Sequence, residues 1–335
     1  MTEKEPLGKK VITWPFLACL FVALIALYFI AKRFIFGIGA VSNMNDGYPW
    51  GIWIAFDVVV VTALACGGYA MALLVYVFNK GEYSPLVRPA LMTSVFGYTL
   101  AGVSVLIDIG RYWQAYNIIL PWYSNLHSVM FEVALCIGTY CLVLWMELTP
   151  AFLEKYEARR LQEKLNRIIF VFIALGILLP TMHQSSLGTM MLMAGYKLSP
   201  LWRTQFLPLL FLLTALLTGY AVVIMESYLS AVWFKRPFET NLLSKMANFI
   251  PWLLGIYPAN RRSARGLFLS ALFIVTGASF YRINTYITGF DPGTGWTYFP
   301  SVPEIMITLG LVAIEGMAYF WMVNRFPILP KAEHA

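Results

Sequence analysis

The sequence predicts an all-α polytopic membrane protein: a bundle of about eight transmembrane helices with both termini on the cytoplasmic side. The chain has 335 residues, of which 59% are hydrophobic and only 12% are charged, and its mean hydropathy is +0.69. Soluble domains are nearer half apolar and a quarter charged. Eight apolar stretches approach or exceed the roughly 20 residues that cross the hydrocarbon core of a bilayer. We therefore predict a single integral membrane domain over residues 1–335.

The predicted spans follow one another along the whole chain. They cover residues 11–31, 51–78, 87–109, 125–147, 166–184, 205–231, 266–287 and 302–323. The first is long enough to cross the membrane and shows no small-residue cleavage site after it, so we expect it to be retained. A further stretch, 247–257, is too short to span and contains Pro251, so we predict an interfacial or re-entrant segment there.

The basic residues predict the orientation of the bundle. With both termini inside, eighteen of the 24 Lys and Arg residues fall on the inner side, five on the outer side and Arg282 within a span. Cytoplasmic loops carry this excess of basic residues, and the bias also supports an even number of spans. The formal net charge of +7 lies mainly in these loops, so it does not indicate nucleic-acid binding.

The loops on the predicted outer side differ from those on the inner side. They are rich in aromatic residues, Pro, Gly and amides, as in SNMNDGYPWGIW, RYWQAYNIILPWYSNLHS, TMHQSSLGTMMLMAGYKLSPLW and GFDPGTGWTYFP. Tyr and Trp mark membrane interfaces in general, so an aromatic belt would explain these loops. A binding site or a docking surface would explain them equally well.

Four carboxyl groups within the predicted spans are candidates for proton handling, because ionisable side chains are costly there and rare unless they serve a function. Asp57 and Glu132 lie toward the outer surface, with Glu132 about seven residues (roughly 10 Å) deep by helix rise. Glu315 lies near the middle of its span and Glu226 near the inner surface. These acids could form a ladder that conducts protons. Separate hydrogen bonds between helices, made by protonated acids, would explain them as well.

Polar residues at the outer ends of two spans are candidates for binding a quinone. Asp108 and Arg111 are three apart, a spacing that places both on one helix face, as an anchoring ion pair or as the wall of a ligand pocket. His183, with Gln184 and two serines after it, could bond to a quinone carbonyl, because histidine donates and accepts near neutral pH. A hydrogen-bonded interfacial histidine is the alternative.

The pattern of cysteines and histidines predicts no metal site. The four cysteines form no CxxC pair, and all lie in apolar stretches, where small buried residues are common. His127 and His183 could in principle hold one haem, but a wire of two haems across the membrane would need four ligands. We therefore expect neither haem, nor an iron–sulfur cluster, nor a structural disulfide.

A set of segments spread over about residues 7–232 and 266–330 resembles a known family. The segments are GYPWGIWIAFD, ACGGYA, VYVFNKGEYSPLVRPALMTSVFGYTLAG, IDIGRYW, SVMFE, LPTMHQSSLGT, AGYKLSPLW and VAIE. They are similar to the NrfD/PsrC family of polytopic quinone-interacting subunits, most of all to the HybB-type membrane subunits of nickel–iron hydrogenases that face the periplasm.

The resemblance implies a subunit without redox metals in the bacterial inner membrane. It would use menaquinone or ubiquinone as substrate and would not be active alone. It would pass electrons between the quinone and a periplasmic ferredoxin-like iron–sulfur subunit, and through that subunit to the small and large subunits of a hydrogenase. Its other contacts would be with membrane lipid. By motif position, the resemblance makes Glu132 and Glu226 the residues for proton handling.

The sequence departs from the family pattern at two places. His127 stands where the family usually has Asn, so the resemblance does not support a ligand role for it. Residues 233–265 form a cytoplasmic or interfacial connection where HybB-type chains usually carry a further helix pair. Two rival functions remain open: a stand-alone proton-coupled transporter, which predicts an internal repeat and broken helices, and a structural anchor for a peripheral enzyme.

Overall fold

Eight long apolar helices form the protein in its computed structural model, which describes residues 6–8, 10–235, 240–247, 263–293 and 295–330. The spans are α1 (Trp14–Phe36), α2 (Trp53–Val77), α3 (Gly81–Asp108), α4 (Val129–Lys155), α5 (Arg159–Met193), α6 (Leu207–Phe234), α8 (Ala264–Thr288) and α9 (Val302–Arg325). A short helix, α7 (Thr240–Ala247), follows α6. The predicted all-α fold with eight spans is confirmed. Of the predicted segment at 247–257, all but Ala247 lies outside the described residues.

The helix bundle has two ends, which we call the aromatic end and the terminal end. The aromatic end holds the described residues of the loops 37–52, 109–128, 194–206 and 289–301, and the terminal end holds the described residues nearest the two chain termini, where the Leu7 amide donates to the Val323 carbonyl (3.2 Å). The loop between α8 and α9 folds over the segment before α2 at the aromatic end. There the side chains of Asn43 and Asn45 donate to the carbonyls of Phe299 (3.0 Å) and Thr297 (2.9 Å).

Helix α2 lies at the centre of the bundle and is irregular. Most of its residues are buried, and it packs against α3, α6 and α9. It begins and ends in π-helical segments, Trp53–Val58 and Leu73–Val77, with α-helical turns between them. Such widened turns change the hydrogen bonding of backbone carbonyls and often occur at functional sites. The carbonyl of Val59 accepts instead from the Arg282 side chain of α8 (2.7 Å).

Small residues let neighbouring helices approach closely, as is common in membrane bundles. A methyl group on Gly310 of α9 would overlap the Cβ of Ala26 on α1. A methyl on Gly219 of α6 would come within 2.6 Å of the Cys66 carbonyl oxygen of α2. These contacts hold α1 against α9 and α6 against α2.

Candidate functional site

Asp57 is the buried acid with the best-defined partners. It lies in the first π-helical turn of α2 and is only 3% exposed. Its Oδ2 accepts from Ser104 Oγ of α3 (2.6 Å) and from Thr308 Oγ1 of α9 (3.3 Å). A buried carboxyl is costly unless it is hydrogen-bonded, so the two hydroxyls stabilise the acid where three helices meet.

A small cavity connects Asp57 to Glu315. Both carboxyls line it, together with apolar residues of α2, α3 and α9, namely Val61, Leu100, Ala101, Leu311 and Val312. Its volume is about 10 Å³. This is about the space that one water molecule needs. The cavity between these two acidic residues therefore has room for about one water molecule.

Glu226 of α6 continues this series toward the terminal end. It lies close enough to Glu315 for its charge to act on that carboxyl. Its Oε1 accepts from Tyr319 Oη of α9 (2.7 Å), whereas its buried Oε2 has no hydrogen-bond partner among the described residues. A buried oxygen without a partner is costly, so it calls for a functional or hydration role.

One face of α9 carries the polar residues of this series. Thr308, Glu315 and Tyr319 are separated by seven and four residues, a spacing that places them on one side of a helix. The stretch from Thr308 to Tyr319 rises about 16 Å. We call the set of Asp57, Glu315 and Glu226, with the hydroxyls of Ser104, Thr308 and Tyr319, the carboxyl file.

Asp108 lies at the aromatic end of the carboxyl file. The charges of Glu304, Arg33 and Asp57 all act on it, and its buried Oδ1 has no hydrogen-bond partner within the described chain. Arg33 of α1 is 1% exposed and donates to the carbonyls of Ile107 (2.6 Å) and Ile109 (2.5 Å), beside Asp108.

The predicted pairing of Asp108 with Arg111 on one helix face is wrong. Helix α3 ends at Asp108, and Ile109 is extended (φ −65°, ψ 117°), so Arg111 lies in the following turn and is exposed. The buried cation near Asp108 is Arg33, from a helix 75 residues earlier in the chain.

Glu132 lies outside the carboxyl file. Helix α4 begins at Val129 rather than at residue 125, so Glu132 is in its first turn and not seven residues deep. Its Oε1 accepts from Ser186 Oγ of α5 (2.8 Å). Four acids were predicted to form a ladder for protons. Asp57, Glu315 and Glu226 lie together in the carboxyl file, whereas Glu132 lies between α4 and α5.

His183 and Gln184 lie inside the bundle and not at the end of a span. Helix α5 continues to Met193, so His183 is about 15 Å below its end, and both side chains are fully buried. His183 Nδ1 lies 2.8 Å from the Leu179 carbonyl oxygen, and Nε2 lies 2.8 Å from Tyr98 Oη. Gln184 Nε2 donates to Thr62 Oγ1 of α2 (3.1 Å). These groups form an interior network that joins α2, α3 and α5.

Sequence reasoning missed Glu304 and Glu147. Glu304 is fully buried and forms a capping box with Ser301 at the start of α9, a signal visible in the sequence SVPE before an apolar run. Glu147 of α4 lies against Gly176 of α5, where a methyl group would overlap its Oε1, and that oxygen has no partner in the described structure. Because Glu147 is the last residue of the predicted span 125–147, the sequence did not indicate that it is buried.

Comparison with known proteins gives a family and several relatives. A family model described as "Polysulphide reductase, NrfD" matches residues 40–257. The chain is 40% identical to the probable Ni/Fe-hydrogenase 2 b-type cytochrome subunit of Escherichia coli (strain K12), over 98% of this chain and 95% of the relative. That alignment has 374 positions against 335 residues here, so at least 39 residues (374 − 335) of the relative have no counterpart. This is the length of about two spans.

Two further relatives match shorter parts. The integral membrane subunit of a menaquinone reductase from Nitratidesulfovibrio vulgaris is 32% identical over 46% of this chain and 37% of its own length. One subunit of the selenate reductase of Mesobacillus selenatarsenatis is 23% identical over 59% of this chain and 55% of its own length. Both are parts of reductases by name.

The name of the Escherichia coli relative corrects one expectation. It describes a b-type cytochrome subunit, which contradicts our expectation that this chain carries no haem. The two histidines in the described chain do not fit a shared two-histidine site. His183 is buried with both ring nitrogens close to hydrogen-bond partners, whereas His127 is exposed in the loop before α4.

Proposed function

We propose, from the premise that this chain belongs to the polysulphide reductase NrfD family, that it is the quinone-reactive membrane subunit of a respiratory oxidoreductase. Family members include membrane subunits of hydrogenase and menaquinone reductase complexes. The chain would exchange electrons between membrane quinone and a partner protein, and protons through its own buried acids.

The observation that carries this proposal is the carboxyl file. Conversion of a quinone to a quinol takes two electrons and two protons, one for each carbonyl oxygen. A protein that exchanges quinone inside a membrane must therefore deliver or remove protons where water is scarce. Asp57, Glu315 and Glu226 offer proton-binding groups along the bundle, with hydroxyls and a water-sized cavity between them.

Each acid has a role in the proposal. Asp108 and Asp57 exchange protons with the quinone near the aromatic end. Glu315 relays them across the small cavity, and Glu226 exchanges them with the terminal end. Glu132 is a separate acceptor near the aromatic end, bonded to Ser186. Proton movement between such groups requires only hydrogen-bond reach or one intervening water.

His183 and Gln184 take a different role from Asp108. Both are fully buried and hydrogen-bonded, so they set the local polarity and the packing of α2, α3 and α5. Arg111 is exposed in the turn after α3 and is suited to contact with a partner protein.

The partner would dock on the aromatic end. The basic residues favour the terminal end as cytoplasmic, which makes the aromatic end the periplasmic face of a bacterial inner membrane. An iron–sulfur protein docked there would bring electrons close to a quinone bound at that end. The hydrogenase relative supports a hydrogenase as the source of those electrons.

A stand-alone proton-coupled transporter is the rival that one observation favours. Helix α2 is discontinuous, as the central helices of many transporters are. The distinction is experimental, because a transporter would move its substrate without redox partners, whereas the proposed subunit requires quinone and an electron donor.

The test is Glu315→Gln in the complex isolated with its native partners and reconstituted in liposomes. Gln keeps the size of the side chain but cannot carry the relayed proton. We expect quinone-linked turnover to fall at least about tenfold, with dye-linked turnover of the partner enzyme unchanged. Glu163→Gln, at an exposed position near the start of α5, is the matched control. Wild-type quinone-linked turnover and membrane-potential response in Glu315→Gln would contradict the proposal.

A further inference from the structure

A larger cavity lies at the aromatic end, between the start of α2, the end of α8 and the loop before α9. Its volume is about 520 Å³. This is within the usual range for small-molecule sites. It is lined by Tyr48, Ile52, Phe56, Ile283, Ile287, Thr288, Thr297, Tyr298, Phe299 and Pro300. We call it the two-tyrosine pocket.

Hydrogen bonds hold the walls of the two-tyrosine pocket together. The amide of Ile52 donates to Tyr298 Oη (2.8 Å), and Tyr48 Oη donates to the Phe290 carbonyl (3.2 Å). The Tyr48 and Tyr298 rings lie 5.6 Å apart. Gly51 leaves room for this arrangement, because a Cβ there would come within 2.8 Å of Tyr298 Oη. The pocket is therefore a built feature of the fold.

One wall of the pocket lies near Asp108, at the aromatic end of the carboxyl file. Tyr298 Oη donates to Glu304 Oε1 (2.8 Å), and the charge of Glu304 acts on Asp108. Burial raises the pKa of Tyr298, and the neighbouring Glu304 raises it further, so the hydroxyl stays protonated and remains a donor. A ligand in the pocket would lie next to the aromatic end of the proposed proton path.

The chemistry of the lining selects the class of ligand. None of the lining residues is charged, so a phosphate-bearing head group would find no cation there. Aromatic and aliphatic side chains make up most of the lining, which suits a flat, uncharged ring. The Tyr48, Tyr298 and Thr288 hydroxyls donate within the protein. The Thr297 hydroxyl is the lining group that suits a carbonyl of the ligand. Ile283 lies five residues before the end of α8, so the pocket reaches about 7 Å down the helix toward the apolar layer.

We propose that the two-tyrosine pocket binds the head group and first prenyl units of a membrane quinone. This inference rests on the proposed function and names its ligand site. Most of the lining comes from α8 and the loop before α9, which lie beyond the residues 40–257 that the family model matches. The quinone ring would lie beside the Tyr48 ring and near the Thr297 hydroxyl, and the prenyl chain would leave past Ile283 and Phe56.

The test combines labelling with a pocket-filling variant in the complex isolated with its native partners. An azido derivative of decylubiquinone is photolysed with the complex, and the labelled peptides are identified with and without excess decylubiquinone. Ile287→Trp fills the pocket. Phe280→Trp, at a 61% exposed position on the same helix and outside the pocket, is the matched control.

We expect competed labelling in residues 48–56 or 283–300. Ile287→Trp should raise the KM for decylubiquinone at least about tenfold with dye-linked activity unchanged, and Phe280→Trp should behave as wild type. Competed labelling elsewhere, or an unchanged KM in Ile287→Trp, would overturn the site. Labelling that phosphatidylglycerol displaces and decylubiquinone does not would assign the pocket to lipid, which also overturns it. A wild-type complex without any quinone-linked turnover would refute the proposed function itself.

Discussion

Asp57 and Glu315 are 258 residues apart in the chain (315 − 57), yet both line the same water-sized cavity. Neither acid forms an ion pair within the described structure. We infer that the two acids exchange protons by way of this cavity, whose other walls are apolar, because water that bridges two polar groups can take part in hydrogen bonding much as a direct contact does. A role in packing alone would be served better by apolar residues, because burying acids costs free energy.

The first prediction concerns Asp57. Asp57→Asn keeps the shape and can still accept from Ser104, but it cannot bind and release the transported proton. We expect quinone-linked turnover to fall at least about tenfold while the complex assembles normally. Ser104→Ala removes one donor but leaves the acid, so it should reduce turnover less. Equal and large losses in both variants, together with poor assembly, would instead indicate a structural acid.

A second prediction separates Glu226 from its partner Tyr319. Glu226→Gln should assemble normally yet lose quinone-linked turnover or its response to the membrane potential, because the terminal end of the carboxyl file no longer titrates. Tyr319→Phe removes only the hydroxyl that donates to Glu226 (2.7 Å) and should keep partial turnover. The measurement is turnover in proteoliposomes with and without an uncoupler. Wild-type behaviour of Glu226→Gln in both conditions would remove this end from the path.

The sequence predicted the number of spans, but not where every helix ends, and it placed Glu132 too far from the start of its helix. The polar run after His183 suggested the end of a span, whereas α5 continues to Met193. The helix can continue because Ser185 donates back to the carbonyl of Thr181 (3.0 Å) and Ser186 donates to Glu132 on the neighbouring helix (2.8 Å). Serine hydroxyls bonded in this way need no water, so a polar residue does not mark the membrane surface.

Lateral neighbours could not be predicted from one sequence either. Helix periodicity gives the face and the depth of Glu315, but not which helix that face meets. The contact between Asp57 and Thr308 depends on how α2, α3 and α9 pack. The cation beside Asp108 likewise comes from α1, through Arg33, and not from the nearby Arg111. Contacts of this kind follow from the tertiary fold.

A third prediction concerns the buried Arg282. Its guanidinium donates to the carbonyls of Val59 (2.7 Å) and Phe211 (2.5 Å) and lies 4.7 Å from the centre of the Phe211 ring. Arg282→Met would leave the buried Val59 carbonyl without its side-chain donor, at a cost of about 1–3 kcal/mol, whereas the Phe211 carbonyl would keep its bond from Thr214 Oγ1 (3.0 Å). We expect a lower thermal unfolding midpoint in detergent, with Arg265→Met, at an exposed position on the same helix, as the control. An unchanged midpoint for Arg282→Met would mean that these bonds do not stabilise the fold.

The last prediction uses two glycines that sit inside helices but have different surroundings. A methyl group on Gly310 would overlap Ala26 of α1, whereas a methyl on Gly277 of α8 would meet nothing within 4 Å. Alanine favours a helix over glycine by up to about 1 kcal/mol at either position. Gly277→Ala should therefore keep or raise the unfolding midpoint in detergent, and Gly310→Ala should lower it, because α1 must move away from α9.

A second substitution on α1 tests whether the contact between Gly310 and Ala26 causes the loss of stability. Ala26→Gly removes the methyl group that Gly310→Ala would meet, so the double variant should recover most of the midpoint lost by Gly310→Ala alone. Residues in direct contact show such non-additive effects, whereas distant residues do not. If the two changes simply added, the close packing of α1 on α9 at this point would not be what stabilises the pair.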